Sequence, residues 1–174
     1  MSQEIELEQT YLAKYLPKDL KSSSSKEIVD IYFPKNSPRA NLRLRKSGDT
    51  YVITKKTKVS PDSSSVHLEN SISLSESEFL ALELADGNKI VKTRYYYPCG
   101  QKIAEIDIFS GQHKGLVLVD FEFSNAEEMN DFKMPDFCLA DVTEEEIIAG
   151  GVLSHETMSS VMKVLEKFSY KEIN

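Results

Sequence analysis

Two pairs of carboxylates stand two residues apart inside runs of apolar alternation: Glu6 and Glu8 in EIELEQTYL, and Asp120 and Glu122 in LVLVDFEF. On an extended strand each pair points to one face, with Leu7 or Phe121 and Phe123 on the other. Ionised carboxylates crowded in this way need a counter-ion. Mg2+ and Mn2+ favour carboxylate oxygen and would supply one. Other runs carry bases at the same spacing: Arg43 and Arg45 in NLRLRK, Lys92 and Arg94 in IVKTRYYY, and Lys56 two residues after Thr54 in YVITKKTK. AEIDIFSG returns to acids, with Glu105 and Asp107. The bases would hold a polyanion. A cation bridging carboxylates to phosphate oxygens would satisfy both sets together.

Such alternation has an ordinary explanation, a one-sided sheet whose polar face meets solvent. A solvated face mixes Ser, Thr, Gln, Lys and Glu. Here the face is almost wholly charged, and its sign is sorted by strand. A closed barrel accounts for both features: charges point into the lumen, and apolar side chains point out toward covering helices. Short alternating runs near 4–12, 27–33, 40–46, 50–58, 65–73, 89–97, 101–109 and 115–124 would build it. The predicted fold class is therefore α+β, an eight-stranded antiparallel β-barrel with flanking α-helices. Ser75 opens an S-x-x-E cap, Phe79, Leu82 and Leu84 follow, and Gly87 can end that helix. Met158, Val161, Met162, Leu165 and Phe168 recur at helical spacing, which predicts a second helix from about 155 to 171. TEEEIIAGG predicts a short helical turn, with Glu144, Glu145 and Glu146 as its solvated start.

The 174 residues suffice for one domain with a real core, and residues 1–174 read as a single domain without repeat or linker. A net charge of -7 argues against a general nucleic-acid binder, which is usually basic. It leaves room for a concave site with its own local sign. No apolar run is long enough to span a membrane. The acidic start MSQEIELEQ lacks the basic and apolar parts of a signal peptide, so the expected location is the cytoplasm, with no membrane partner. Cys99 and Cys138 form no metal-type spacing and read as reduced thiols, though the sequence leaves a disulfide between them open. No Ser-His-Asp or Cys-His arrangement is evident among the three histidines, and His113, between Gly111 and Gly115, reads as a loop residue.

Taken in order, these segments resemble the CYTH domain, or triphosphate tunnel metalloenzyme, superfamily, and its small bacterial single-domain members in particular. ELEQT at 6–10 is similar to the N-terminal E-x-E-x-K of that family, and ELEQTYLAKYLP continues as its openings do, to Leu-Pro. NLRLRK resembles the R-x-R strand, VITKK the T-x-K strand, and HLENSI the next acidic strand, with Glu69 as its carboxylate. VKTRYYYP matches K-T-R-Y. AEIDIFSGQHKGLVLVDFEF resembles E-x-D-x-F followed by a glycine turn and an E-x-E strand. MPDFCLADVT resembles a Pro-Asp-aromatic segment ending in E-V-T. The resemblance covers about residues 4–145, and the ordered series carries it rather than any one motif.

The resemblance implies an eight-stranded tunnel and Mg2+- or Mn2+-dependent hydrolysis of a triphosphate by metal-activated water. The substrate would be inorganic tripolyphosphate, a nucleoside triphosphate, thiamine triphosphate or an RNA 5′-triphosphate end; some relatives cyclise ATP instead. By the same resemblance Glu6 and Glu8 form the first metal-binding pair and Asp120 and Glu122 the second. Asp107 joins the metal ligands, and Glu105 and Glu69 are further tunnel acids. Arg43, Arg45, Lys56, Lys92 and Arg94 would bind substrate, and Glu6, Glu8, Lys56 and Arg94 would carry catalysis. The partner is then a small-molecule triphosphate or polyphosphate; the sequence names no protein partner.

The match has departures. Thr10 stands where the motif has its lysine. Lys14 has the same strand parity but begins about 13 Å further along, at about 3.3 Å per residue. Asp120 and Asp141 replace the usual Glu, and His67 stands where an arginine is frequent. A frame with Glu4 and Glu6 as the metal pair would put Glu8 in the lysine's place; the spacing to Leu16-Pro17 favours Glu6 and Glu8. The missing lysine supports a second reading, a weakly catalytic or non-catalytic module that binds polyphosphate or another phosphorylated ligand.

Overall fold

The computed structural model describes residues 2–58 and 66–174, with side chains described for 7–57 and 68–174. Every alternating run becomes a strand: β1 Ser2–Ala13, β2 Ser24–Phe33, β3 Leu42–Ser47, β4 Thr50–Lys58, β5 Val66–Leu74, β6 Asn88–Cys99, β7 Lys102–Phe109 and β8 Val117–Glu122. A short β9, Cys138–Asp141, lies within MPDFCLADVT and is an addition to the predicted runs. Among the described residues the strands pair in the order β5-β4-β3-β2-β6-β7-β8-β1-β9, and β5 pairs with β1 as well. β1 to β8 therefore form a closed circuit of antiparallel pairings, with β9 added beside β1.

Register sets which residues share the lumen. Glu8 lies opposite Glu122 and Thr10 opposite Asp120. Asp120 lies opposite Glu105, Asp107 opposite Arg94, Asp30 opposite Arg45, and Lys56 opposite Glu69. Directly opposed residues of antiparallel strands present their side chains on one face. The charged faces of all these strands thus meet inside.

The outward faces carry core. Tyr11, Ala104, Ile106, Val117, Val119, Phe121 and Phe123 are buried there. They lie beneath Leu20, Met129 and Phe132, the last two from α2 (Ala126–Asp131) and its C-cap. The Phe121 and Phe132 rings stand 4.5 Å apart. On the other side, α1 (Glu76–Glu83) presses Phe79 onto Ile31 and Leu44. The expected capping box forms between Ser75 and Glu78, but α1 ends at Glu83 with Leu84 as its C-cap, before Gly87. Gly87 is required by packing: a Cβ there would lie 2.6 Å from Ile31 Cγ2.

The lumen is not ionic throughout, which corrects the sequence reading. Leu12 lies opposite Leu118, Phe109 opposite Lys92, and Ile90 opposite Asp30, all on the face of the charges. With Tyr32, Val142, Leu153, Val161 and Leu165 they form one buried cluster that fills one end of the barrel. A four-residue helix, α3 (Gly150–Leu153), seals that end. A Cβ at Gly150 would lie 1.9 Å from the Tyr32 hydroxyl, and one at Gly151 would lie 1.8 Å from the Ala40 carbonyl oxygen.

The predicted C-terminal helix is shorter than its periodicity suggested. α4 runs Met158–Leu165 behind a Thr157 cap, then tightens into a 3-10 turn over Glu166–Phe168. Ser169 takes a left-handed φ of 58° and stops the helix. Tyr170 then docks on the sheet, its hydroxyl donating to the Gly115 carbonyl and accepting from Val117 N–H, each at 2.9 Å. Among the described residues no helix is long and apolar enough to cross a membrane.

Candidate functional site

The lumen encloses a cavity of about 460 Å3 whose wall includes Glu8, Arg43, Arg45, Lys56, Lys92, Arg94, Asp107, Asp120 and Glu122. The structure therefore gathers every predicted metal-binding, substrate-binding and catalytic residue with a described side chain around one space, and of the two further tunnel acids Glu69 lines it and Glu105 does not. Glu6 sits in β1 with its backbone opposite His67; its side chain, like those of Glu4 and His67, lies outside the described residues.

The strands sort the charges, and the register matches them. Arg45 grips Asp30 with a two-pronged fork, Nε to Oδ1 at 2.6 Å and Nη2 to Oδ2 at 2.7 Å. Arg94 makes the same fork on Asp107, at 2.7 Å for both bonds. Its Nη2 also reaches Asp120 Oδ2 at 3.0 Å, and its Nη1 reaches Glu105. Lys92 pairs with Asp107 from the other side. Lys56 lies 3.1 Å from Glu69 Oε1, and Arg43 lies 3.8 Å from Glu69 Oε2. The Thr10 hydroxyl donates to Asp120 Oδ1 at 2.8 Å, and its backbone N–H donates to Thr143 Oγ1 at 3.0 Å. Asp120 is thus held from both oxygens, by Thr10 and Arg94.

Burial tunes these groups through opposing effects. For Asp30 burial alone would raise the carboxyl pKa; Arg45 outweighs it, helped by Arg43 and Lys92, and holds the group far below the usual carboxylate range. Asp107 follows the same logic, with burial opposed and overcome by Lys92 and Arg94. Glu105 goes the other way: burial raises it, and Glu122, Asp120 and Asp107 add to that rise against Arg94. A depressed carboxyl stabilises the fold above its unfolded pKa and loses that contribution as pH falls through the folded value. The stability gap between wild type and Asp30→Asn is therefore expected to be widest at neutral pH and to narrow below about pH 4. Urea unfolding across a pH series measures it, and a gap that widens in acid would contradict the role given to Asp30.

Asp30 escapes a motif search because the other acid in EIVDIYF, Glu27, has the opposite strand parity and no like residue stands two positions away. Its only sequence signal is that it breaks an apolar alternation with Ile28 and Tyr32. Glu145 and Glu146 are a correction. They belong to the cavity wall rather than to a purely solvated turn, although the predicted turn itself is present at Glu146–Ile148. His113 is structural: it is buried, with Nε2 2.9 Å from the Glu156 carbonyl oxygen. Among the described residues no three of His, Cys, Asp or Glu are grouped so as to hold a metal by themselves.

Comparison with known proteins follows the same lines. No family model matches the sequence. An inorganic triphosphatase of Nitrosomonas europaea is 31% identical over 106 residues, which is 60% of this chain and 68% of that protein. A crystal structure of the hypothetical protein NE1496 superposes with a TM-score of 0.64 at 24% identity, over 87% of this chain and 99% of that one. A crystal structure of the inorganic triphosphatase NE1496 gives 0.63 at 24% identity, over 87% and 95%. At that level of identity the structural likeness is one of fold.

Proposed function

The chain belongs to the CYTH, or triphosphate tunnel metalloenzyme, superfamily, and from that membership we propose that it hydrolyses a linear triphosphate inside the tunnel. The substrate is inorganic tripolyphosphate or a nucleoside triphosphate, and the reaction depends on Mg2+ or Mn2+. One observation supports this reading most: six basic side chains and an acidic wall share one cavity, and the buried Arg43 Nε has no hydrogen-bond partner among the described residues. An unsatisfied buried donor costs about 1–3 kcal/mol, and a phosphate oxygen would relieve it.

Arg45 commits Nε and Nη2 to Asp30, which leaves Nη1 for a phosphate oxygen in a fixed orientation. Lys92 and Arg94 place positive charge where a transferred phosphoryl group develops negative charge. Glu8, Asp120 and Glu122 bring hard oxygen donors onto adjoining strands; they do not hold a cation by themselves, and Glu6, their fourth member by sequence, would complete a donor set of the kind a divalent cation prefers. A cation held there would neutralise phosphate charge and acidify a bound water. Asp107 fits that set poorly: two bases hold it through three charged bonds and its side chain is 1% exposed, whereas Asp120 meets one arginine and a neutral hydroxyl and is 12% exposed. The part of Asp107 is to hold the two bases rather than to ligate metal. Thr10 steers Asp120 in place of supplying a lysine's charge.

Phosphate release from tripolyphosphate, pyrophosphate, ATP, GTP and thiamine triphosphate, with Mg2+ and with Mn2+, tests the proposal. Release from at least one triphosphate is expected, falling about 100-fold in Glu8→Gln. Ligand-induced thermal stabilisation without turnover would instead support a binding module, the reading that Thr10 favours. No turnover and no thermal shift with any of these compounds would overturn both.

A further inference from the structure

Arg39 sits in the loop between β2 and β3, four residues before Arg43, and lines the same cavity as Asn41, Arg43 and Lys56. The loop is tied to the barrel, since Lys56 N–H donates to the Asn41 carbonyl at 2.9 Å. Arg39 forms an ion pair with Glu146, from the acidic turn after β9. The neighbouring Glu145 pairs with Lys167 beyond α4, at 2.7 Å. The acidic turn is thus strapped across the cavity wall, with Arg39 as its contact on the barrel side.

This pair differs from the others around the cavity in exposure. The side chains of Arg39 and Glu146 are 66% and 49% exposed, against 21% and 2% for Arg45 and Asp30. An exposed pair is worth about 0–1 kcal/mol, whereas breaking a buried one is costly. When a polyanion enters, the Arg39–Glu146 contact is therefore the one that exchanges most readily.

We propose that Arg39 is a further polyanion-binding residue, held by Glu146 until the outer phosphate of the substrate displaces that carboxylate, and that it favours inorganic tripolyphosphate over a nucleoside triphosphate. The proposal rests on the tunnel reading given above. Arg39 lines one wall with Arg43 and Lys56, so a triphosphate whose reacting end lies at Asp120 and Glu8 can offer it its outer phosphate. In tripolyphosphate the outer phosphate is terminal and bears more negative charge. In a nucleoside triphosphate that phosphate is esterified, bears less charge, and carries a nucleoside that needs room beside Arg39. Glu146 acts as a built-in competitor for the same guanidinium.

Steady-state kinetics on tripolyphosphate and ATP test this with Arg39→Ala and Glu146→Gln. In Arg39→Ala, kcat/KM for tripolyphosphate is expected to fall about tenfold, mainly through KM, and by less than about threefold for ATP. In Glu146→Gln, KM for tripolyphosphate is expected to fall a few-fold, with the gain shrinking at high salt. Equal effects on the two substrates, or a loss confined to kcat, would overturn the proposal. Calorimetric titration with tripolyphosphate in the absence of divalent cation gives the same comparison as Kd. If wild type binds without turnover and Arg39→Ala weakens binding, hydrolysis falls and the Arg39 assignment stands. If wild type turns over tripolyphosphate and Arg39→Ala is indistinguishable from it, the Arg39 assignment falls alone.

Discussion

Arg94→Ala is expected to lower unfolding free energy by about 3–5 kcal/mol and to abolish triphosphate turnover. Arg94 is the shared partner of Glu105, Asp107 and Asp120, and only 13% of its side chain is exposed. Alanine would leave three crowded carboxylates with Lys92 as the remaining base beside Asp107. Stranding buried charge is far more costly than the net worth of the pair it came from. The sign of the pH response identifies the cause. Without Arg94 the stranded carboxyls bind protons more readily in the folded state, so the deficit narrows as pH falls. Arg94→Lys keeps a charge and loses the fork, and intermediate stability is expected. Urea unfolding at pH 7 and pH 4 measures all three proteins. A deficit under about 1 kcal/mol at pH 7 would show that the network is not held together in this way.

Asp120→Asn is expected to lower turnover about 100-fold or more while changing stability little. Loss of a residue that merely supports a metal ligand typically costs 10- to 100-fold, so loss of a ligand's charge should cost at least the upper figure. The amide keeps the shape of the carboxyl. Its oxygen can still face Arg94, and its NH2 can face the Thr10 hydroxyl, which then acts as acceptor. Local geometry survives and the negative charge does not. Mn2+ affinity, read by calorimetry or by the electron spin signal of free Mn2+, should weaken in parallel. Unchanged Mn2+ affinity would remove Asp120 from the proposed cation site.

The strands were legible because period-two alternation is long and regular in this chain, and each predicted run overlaps an observed strand. The face that carries the charges was legible for the same reason. How far the charges extend along the lumen was not. Leu12, Ile90, Phe109 and Leu118 have the parity of the site residues but belong to the sealed end. Parity fixes a face and is silent about depth. No local pattern places Glu145 and Glu146 at the cavity, because their turn is docked by contacts from elsewhere, here Arg39 and Lys167. The six residues of α2 carry too little periodicity to predict a helix, although its Asn125 cap does form, accepting from Glu128 N–H. Thr10 read as a missing charge. Only the fold shows what its hydroxyl does instead.

The pairing of charges also bears on how the chain can assemble. Asp30 and Arg45 face each other across β2 and β3, Lys56 and Glu69 across β4 and β5, and Arg94 and Lys92 face Glu105 and Asp107 across β6 and β7. Each couple joins strands that follow one another in sequence, within 15 residues. Three hairpins can therefore neutralise themselves early, at low loop-closure entropy. The seam between β1 and β8 differs, because Glu8 meets Glu122 there and Thr10 meets Asp120 across a separation of 110 residues. Pairing β1 with β8 and gathering these like charges are consequently one event, so the acidic wall is created by a pairing of high contact order.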